Sequence, residues 1–134
     1  MAVLMVLVLQ ALAAPAGMGA AQAQGKPRCE SPEDPGDKRA VNCPLSASGA
    51  LQSFRFKANF SGSHDDTMAA MTATLDGAPL ACAPGSKTDL MGEDGDVSLQ
   101  CTFSLTGKAG AQHVLRVMLS WRHAQYTGFE LDSD

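Results

Sequence analysis

The most informative absence in this 134-residue sequence is that of a catalytic motif. It contains no G-x-S-x-G turn to expose a serine nucleophile, no H-E-x-x-H helix motif and no phosphate-binding P-loop. Histidine is scarce, with three residues, and Ser63, His64 and Asp65 are chain neighbours whose side chains point in different directions. No nucleophile, base and orienting carboxylate are brought together. We therefore expect a protein that is not an enzyme.

Clustered positive charge and helical periodicity are also absent. Ten Lys and Arg against 14 Asp and Glu give a formal net charge of −4, and the basic residues do not form a cluster. This balance disfavours nucleic acid and anionic membrane surfaces as partners. No C-x-x-C spacing typical of a zinc site occurs.

The first 23 residues lack any charge. A hydrophobic run, Met1 to Ala14, is broken only by Gln10, and Ala21-Gln22-Ala23 fits the small-x-small pattern that signal peptidase recognises. The pattern predicts a cleaved signal peptide over 1–23, a mature start at Gln24, and a periplasmic or secreted protein. No Lys or Arg precedes the run, and an uncleaved membrane anchor is the alternative.

The four cysteines all follow this leader, an arrangement typical of disulfides formed in an oxidising compartment. Of the three possible pairings we expect the sequential one, Cys29 with Cys43 and Cys82 with Cys101. The first would staple a Pro-rich, charged segment over 24–50. The second would cross-link strands of a domain over 51–134.

Alternation of apolar and polar residues predicts strands with one buried face. The clearest runs are Val97 to Leu105 and Leu115 to Arg122, and the glycine-rich stretch between them predicts a β-hairpin. In the second run, Trp121 is in phase with the aliphatic side chains and is expected in the core.

Further alternating runs occur at Leu51 to Phe60, at Met71 to Leu75 before an Asp76-Gly77 hairpin turn, and at Tyr126 to Leu131. Residues 40–43 are a candidate short edge strand. About six or seven antiparallel strands without helices predict an all-β fold, a small immunoglobulin-like β-sandwich or a small barrel.

Two polar loops remain without a structural role, residues 61–67 and 89–96. They carry the candidate binding residues His64, Asp65, Asp66, Glu93, Asp94 and Asp96. Because binding residues gather on loops held by a rigid sheet, we expect a non-enzymatic binding or accessory module. It would act through loops or a strand edge on another extracytoplasmic protein, without a cofactor.

The alternative function is copper binding, since thioether and imidazole groups are copper(I) ligands. Its candidate ligands are His64, Met68, His113 and His123. Residues 119–122 and 127–131 resemble the last hairpin of periplasmic copper-resistance sandwiches, and that resemblance implies a copper site. The family has a histidine at the mature N-terminus and an Asp-Gly-His turn, whereas this chain has Gln24 and His123-Ala124-Gln125.

Overall fold

The computed structural model describes residues 28–31, 36–63 and 65–133. The predicted signal peptide over 1–23 and the candidate ligand His64 lie outside the described residues. Within them the chain forms eight strands: β1 (Lys38–Ser46), β2 (Gln52–Gly62), β3 (Met68–Leu75), β4 (Ala78–Pro79), β5 (Asp89–Met91), β6 (Gly95–Leu105), β7 (Gln112–Arg122) and β8 (Ala124–Ser133).

The strands form a β-sandwich of two antiparallel sheets, as the alternation predicts. Sheet A has the order β1-β7-β3-β4, with β5 also paired to β3, and sheet B has the order β6-β2-β8. The candidate edge strand at 40–43 is confirmed as part of β1, at one edge of sheet A.

The predicted hairpin between β6 and β7 is wrong. β6 pairs with β2 in sheet B, whereas β7 pairs with β1 and β3 in sheet A. The connection crosses between the sheets, where Ala47 exchanges backbone hydrogen bonds of 2.8 Å with Gly110 and Ala111. Alternation shows that a strand has one buried face, and strands of both sheets share that property.

The proposed last hairpin, from β7 into β8, is also wrong. β8 lies in sheet B beside β2, and His123 turns the chain from one sheet to the other with a φ of 52°. Residues 119–122 and 127–131, which carry the resemblance to copper-resistance sandwiches, therefore lie in different sheets and do not form a hairpin.

The core lies between the sheets and consists of the in-phase residues of both. Its largest fully buried apolar side chains are Phe56, Phe60, Leu99, Leu115, Leu119, Val41 and Val117. Each contributes about 1.5–3 kcal/mol by leaving water. Trp121 shares this face but is only half buried, because it lies near the end of β7.

Both predicted disulfides are confirmed, Cys29 with Cys43 and Cys82 with Cys101. The first holds Glu30 beside Asn42 of β1, where the two backbones exchange hydrogen bonds of 2.7 and 2.8 Å. The second closes the segment that contains Lys87, whose backbone exchanges hydrogen bonds of 2.9 and 2.8 Å with Gln100 of β6. Short segments therefore cover part of one edge of each sheet.

The two disulfides indicate folding in an oxidising compartment. In the part of the chain that the structure describes, no helix has the length and apolarity needed to cross a membrane.

Candidate functional site

The two loops proposed from the sequence do lie at the same end of the sandwich. The Gly92 N–H donates a hydrogen bond of 2.7 Å to the Thr67 carbonyl. Gly62, at the end of β2, pairs with Gly95 at the start of β6, so both loops leave sheet B side by side. Their acidic side chains thus share one end of the molecule.

Those acidic side chains are solvated or singly paired. Asp66 Oδ2 lies 3.2 Å from His123 Nε2, and Glu93 Oε2 lies 2.7 Å from Lys87 Nζ. Asp65, Asp94 and Asp96 are exposed. Among the described residues, no three His, Cys, Asp or Glu side chains are grouped to hold a metal ion.

The three candidate copper ligands among the described residues, Met68, His113 and His123, do not form one site, and the expectation of a shared site is corrected. His113 and His123 lie near opposite ends of β7, roughly 30 Å apart at the rise of an extended strand. Met68 pairs with Arg122, near His123 only. His64 is outside the described residues.

The outer face of sheet A, the face turned away from the core, has a shallow pocket near the same end. Strand register sets two rows of side chains across it. The first is Lys38, Ser120, Ala70 and Asp89, and the second is Arg122, Met68 and Met91. Ser120 and Ala70 are small, so the middle of the first row is recessed between longer neighbours.

The pocket has a volume of about 670 Å³, within the range of ligand-binding clefts. Asp37, Lys87 and Glu93 line its rim, and Trp121 also contributes to the lining. Among the candidate binding residues proposed from the sequence, Glu93 is therefore the carboxylate that borders it.

Trp121 is held in place by an aromatic cluster at the sandwich end. Its ring stacks on Tyr126, with centroids 5.5 Å apart, and packs at the same distance against Phe60. The Arg39 guanidinium lies 4.8 Å from the centroid of the Tyr126 ring. Burial raises the pKa of Tyr126, while Arg39 and Ser31 act in the opposite direction.

The outer face of sheet A also carries most of the exposed large apolar side chains. Of the five exposed large hydrophobic side chains among the described residues, four lie on it: Met68, Met91, Val114 and Met118. Met91 is 70% exposed and Val114 is 51% exposed. The central strand β7 therefore presents apolar side chains to solvent as well as to the core.

Sheet B differs on its outer face. Its outward residues are polar or charged, including Arg55, Lys57, Gln100 and Thr102. Arg55 lies opposite Asp132 and Lys57 opposite Glu130 in the register of β2 with β8. A second, smaller recess of about 500 Å³ on this side is lined mostly by polar residues such as Asn59, Asp96 and Ser98.

His113 and Asp76 form a separate polar contact at the other end of β7. Asp76 Oδ2 lies 2.6 Å from His113 Nδ1, and Asp76 Oδ1 accepts a 2.8 Å hydrogen bond from the Val114 N–H. The hydrogen bond with His113 and, to a smaller extent, that from the Val114 N–H lower the pKa of Asp76. The predicted Asp76-Gly77 turn is confirmed, with φ of 52° and 86°, so this contact fastens the β3–β4 hairpin to β7.

Sequence reasoning missed the outer face of sheet A. Val114 and Met118 lie at the outward positions of the β7 alternation, where polar residues are the norm. Apolar residues at those positions were the indication in the sequence of an exposed apolar face. Met68 and Met91 join them only through strand pairing, which alternation does not reveal.

Comparison with known proteins gives neither a family model nor a curated protein that matches the chain. Among solved structures, the chain is similar to the PA14 domain of the antifreeze protein MpAFP, with a TM-score of 0.36 and 16% identity over 76% of this chain. It spans 47% of the length of that solved chain.

It is also similar to two family 6 carbohydrate-binding modules. One is from Cellvibrio mixtus lichenase 5A, solved with cellotriose, with a TM-score of 0.32 and 13% identity over 80% of this chain and 86% of that one. The other is from LamC of Zobellia galactanivorans, with a TM-score of 0.29 and 8% identity over 78% and 90%. At such low identity and TM-score, these likenesses do not bear on what the chain binds.

Proposed function

We propose that the protein is an extracytoplasmic, non-enzymatic binding module that acts on another protein through the outer face of sheet A. The observation that carries this proposal is that four of the five exposed large apolar side chains among the described residues lie on this face, two of them, Met68 and Met91, in the lining of the pocket. Clustered exposed apolar surface is typical of interaction sites.

The composition of the face supports a protein as the partner. Met68, Met91 and Met118 have flexible, polarizable side chains that adapt to varied apolar surfaces. They extend over β5, β3 and β7, beyond the pocket itself. An apolar surface that spans three strands suits a folded partner better than a small molecule, which would occupy the pocket alone.

Strand-edge binding is disfavoured at two of the four sheet edges. The β1 edge of sheet A is bridged by Glu30, and the β6 edge of sheet B is bridged by Lys87. The acidic segment 89–96 contributes to the proposed binding surface, because Asp89 and Glu93 line the pocket.

Site-specific photo-cross-linking tests the proposal. A photoreactive phenylalanine analogue replaces Met118 on the outer face of sheet A or, as the matched control, Ser104 on the outer face of sheet B. The protein is produced and irradiated in its native host, and adducts are identified by mass spectrometry. We expect one partner protein to be captured from position 118 and not from 104.

Absence of any adduct from position 118, or the same set of adducts from both positions, would contradict the proposal.

A further inference from the structure

We infer that the partner is an acidic protein surface, and that Lys38 and Arg122 bind one of its carboxylates at the pocket while its apolar side chains pack on Met68 and Met91. This inference rests on the proposed function and names the chemistry of the partner.

The first support is the position of the two basic residues. Lys38 lies opposite Ser120 in the β1–β7 register, and Arg122 is two residues further along β7 on the same face. Diagonal cross-strand neighbours are roughly 7–8 Å apart at their Cα atoms, so both long side chains reach one point above Ser120. The Arg guanidinium can hold a carboxylate through two parallel hydrogen bonds.

The second support is the charge pattern of the face. Its outward positions on β1, β3 and β7 include Lys38, Arg116 and Arg122 and no carboxylate, although the chain as a whole carries a net charge of −4. On β5 the outward Asp89 lies in the row of Lys38 but is separated from it by Ser120 and Ala70. Among described residues, no carboxylate lies within ion-pair distance of these three.

Sheet B shows the opposite pattern. Each outward cation of β2, Arg55 and Lys57, lies opposite a carboxylate of β8 in register. The cations of sheet A instead lie opposite Ser120, Asn42, Thr74 or Met68. Positive charge on sheet A is thus left for a partner to complement.

The third support is the apolar row beside these cations. Met68 pairs directly with Met91 and, on its other side, with Arg122. An apolar side chain next to the bound carboxylate would therefore lie on the two thioethers, while Ala70 and Ser120 leave room for it.

The rim of the pocket favours a protein over an anionic membrane. Asp37, Asp89 and Glu93 line it, and Glu93 is paired with Lys87. A continuous anionic lipid surface would therefore face the carboxylates of Asp37 and Asp89. A protein can place a carboxylate against Lys38 and Arg122 alone, because its charges are discrete.

Fluorescence polarisation with labelled synthetic decapeptides tests the inference. The probes are an alternating Glu-Leu peptide, a Glu-Ser peptide lacking apolar side chains, and a Lys-Leu peptide with the charge reversed. We expect the Glu-Leu peptide to bind best, with an affinity that falls as salt rises from about 0.05 M to about 0.5 M, because salt screens the contact.

The variants Lys38→Gln and Arg122→Gln should each weaken Glu-Leu binding about tenfold, the effect of losing a hydrogen bond to a charged group. The matched control Arg55→Gln on sheet B should leave the affinity unchanged. Circular dichroism of each variant checks that the fold is retained.

Equal binding of the Lys-Leu peptide, or an equal loss with Arg55→Gln, would overturn the inference. So would binding to phosphatidylglycerol vesicles through Lys38 and Arg122 with no binding to the Glu-Leu peptide. A partner cross-linked from position 118 without Glu-Leu binding would refute this inference alone, whereas failure of the cross-linking refutes the proposed function.

Discussion

Replacing Gly62 with alanine should destabilise the protein markedly, because the two acidic loops are packed against each other at this glycine. An added Cβ would fall well inside 3.0 Å of the Glu93 carbonyl oxygen, which belongs to the backbone. It would also lie 3.0 Å from Thr67 Oγ1 and 3.1 Å from Thr67 Cγ2. The loops would have to separate to accommodate it.

The expected cost is about 2–3 kcal/mol, the upper part of the range for inserting a methyl group into a packed site. For a domain of this size, that corresponds to a fall in Tm of roughly 10–20 °C. Gly128→Ala is the matched control in the same sheet, since nothing lies within 4 Å of its added Cβ. The control should be neutral or stabilising by up to about 1 kcal/mol.

Urea denaturation followed by far-UV circular dichroism gives both free energies of unfolding. Amide hydrogen exchange adds a local readout, because the Gly92 N–H bonded to the Thr67 carbonyl should exchange faster in Gly62→Ala. If Gly62→Ala is as harmless as Gly128→Ala, the two loops do not pack together, and the reasoning is refuted.

Two further predictions concern stability. Hydrogen bonds from His113 and the Val114 N–H lower the pKa of Asp76 below its ordinary 3.8, so its stabilising effect is complete above about pH 4 and is lost as pH falls through the lowered pKa. The difference in unfolding free energy between the wild type and Asp76→Asn should therefore shrink below about pH 4; a constant difference would contradict this. Trp121→Ala should cost about 2 kcal/mol by urea denaturation, less than the 3–5 kcal/mol of a fully buried tryptophan, because Trp121 is half buried; a cost above about 4 kcal/mol would place it in the core.

The fold class and both disulfides were predictable from local patterns. Alternation in runs such as Val97 to Leu105 reports one buried face, and Asp76-Gly77 specifies a tight turn. Four cysteines behind an apolar leader suggested stapling, and the sequential pairing is confirmed. These features depend on residues that are close in sequence.

Strand partners were not predictable in the same way. β6 and β7 are joined by a short glycine-containing connection, yet they lie in different sheets, because a short connection can cross a sandwich as well as close a hairpin. The half-buried position of Trp121 has the same origin. The alternation correctly assigns Trp121 to the inward face of β7. It does not show that Trp121 lies at the end of the sandwich, where the core no longer covers it completely.

The candidate site was only partly predictable for a related reason. The loops at 61–67 and 89–96 were expected to be functional, and the structure places them at one end of the sandwich, which the sequence does not determine. The outer face of sheet A depends on Met68, Met91 and Met118, which come from three strands. Register alone brings them together, and register is a long-range property.

The most direct test of the binding face is an NMR titration of protein labelled with ¹⁵N throughout and with ¹³C at the methionine methyl groups, using the partner captured by cross-linking from position 118. Met68, Met91 and Met118 lie exposed on the outer face of sheet A, whereas Met71 of β3 is 4% exposed and faces the core. Binding at this face should shift or broaden the first three signals and leave that of Met71 unchanged. Shifts confined to backbone amides of the 61–67 loop, with the three methionine methyls unmoved, would contradict the proposal and place the binding surface at the acidic end.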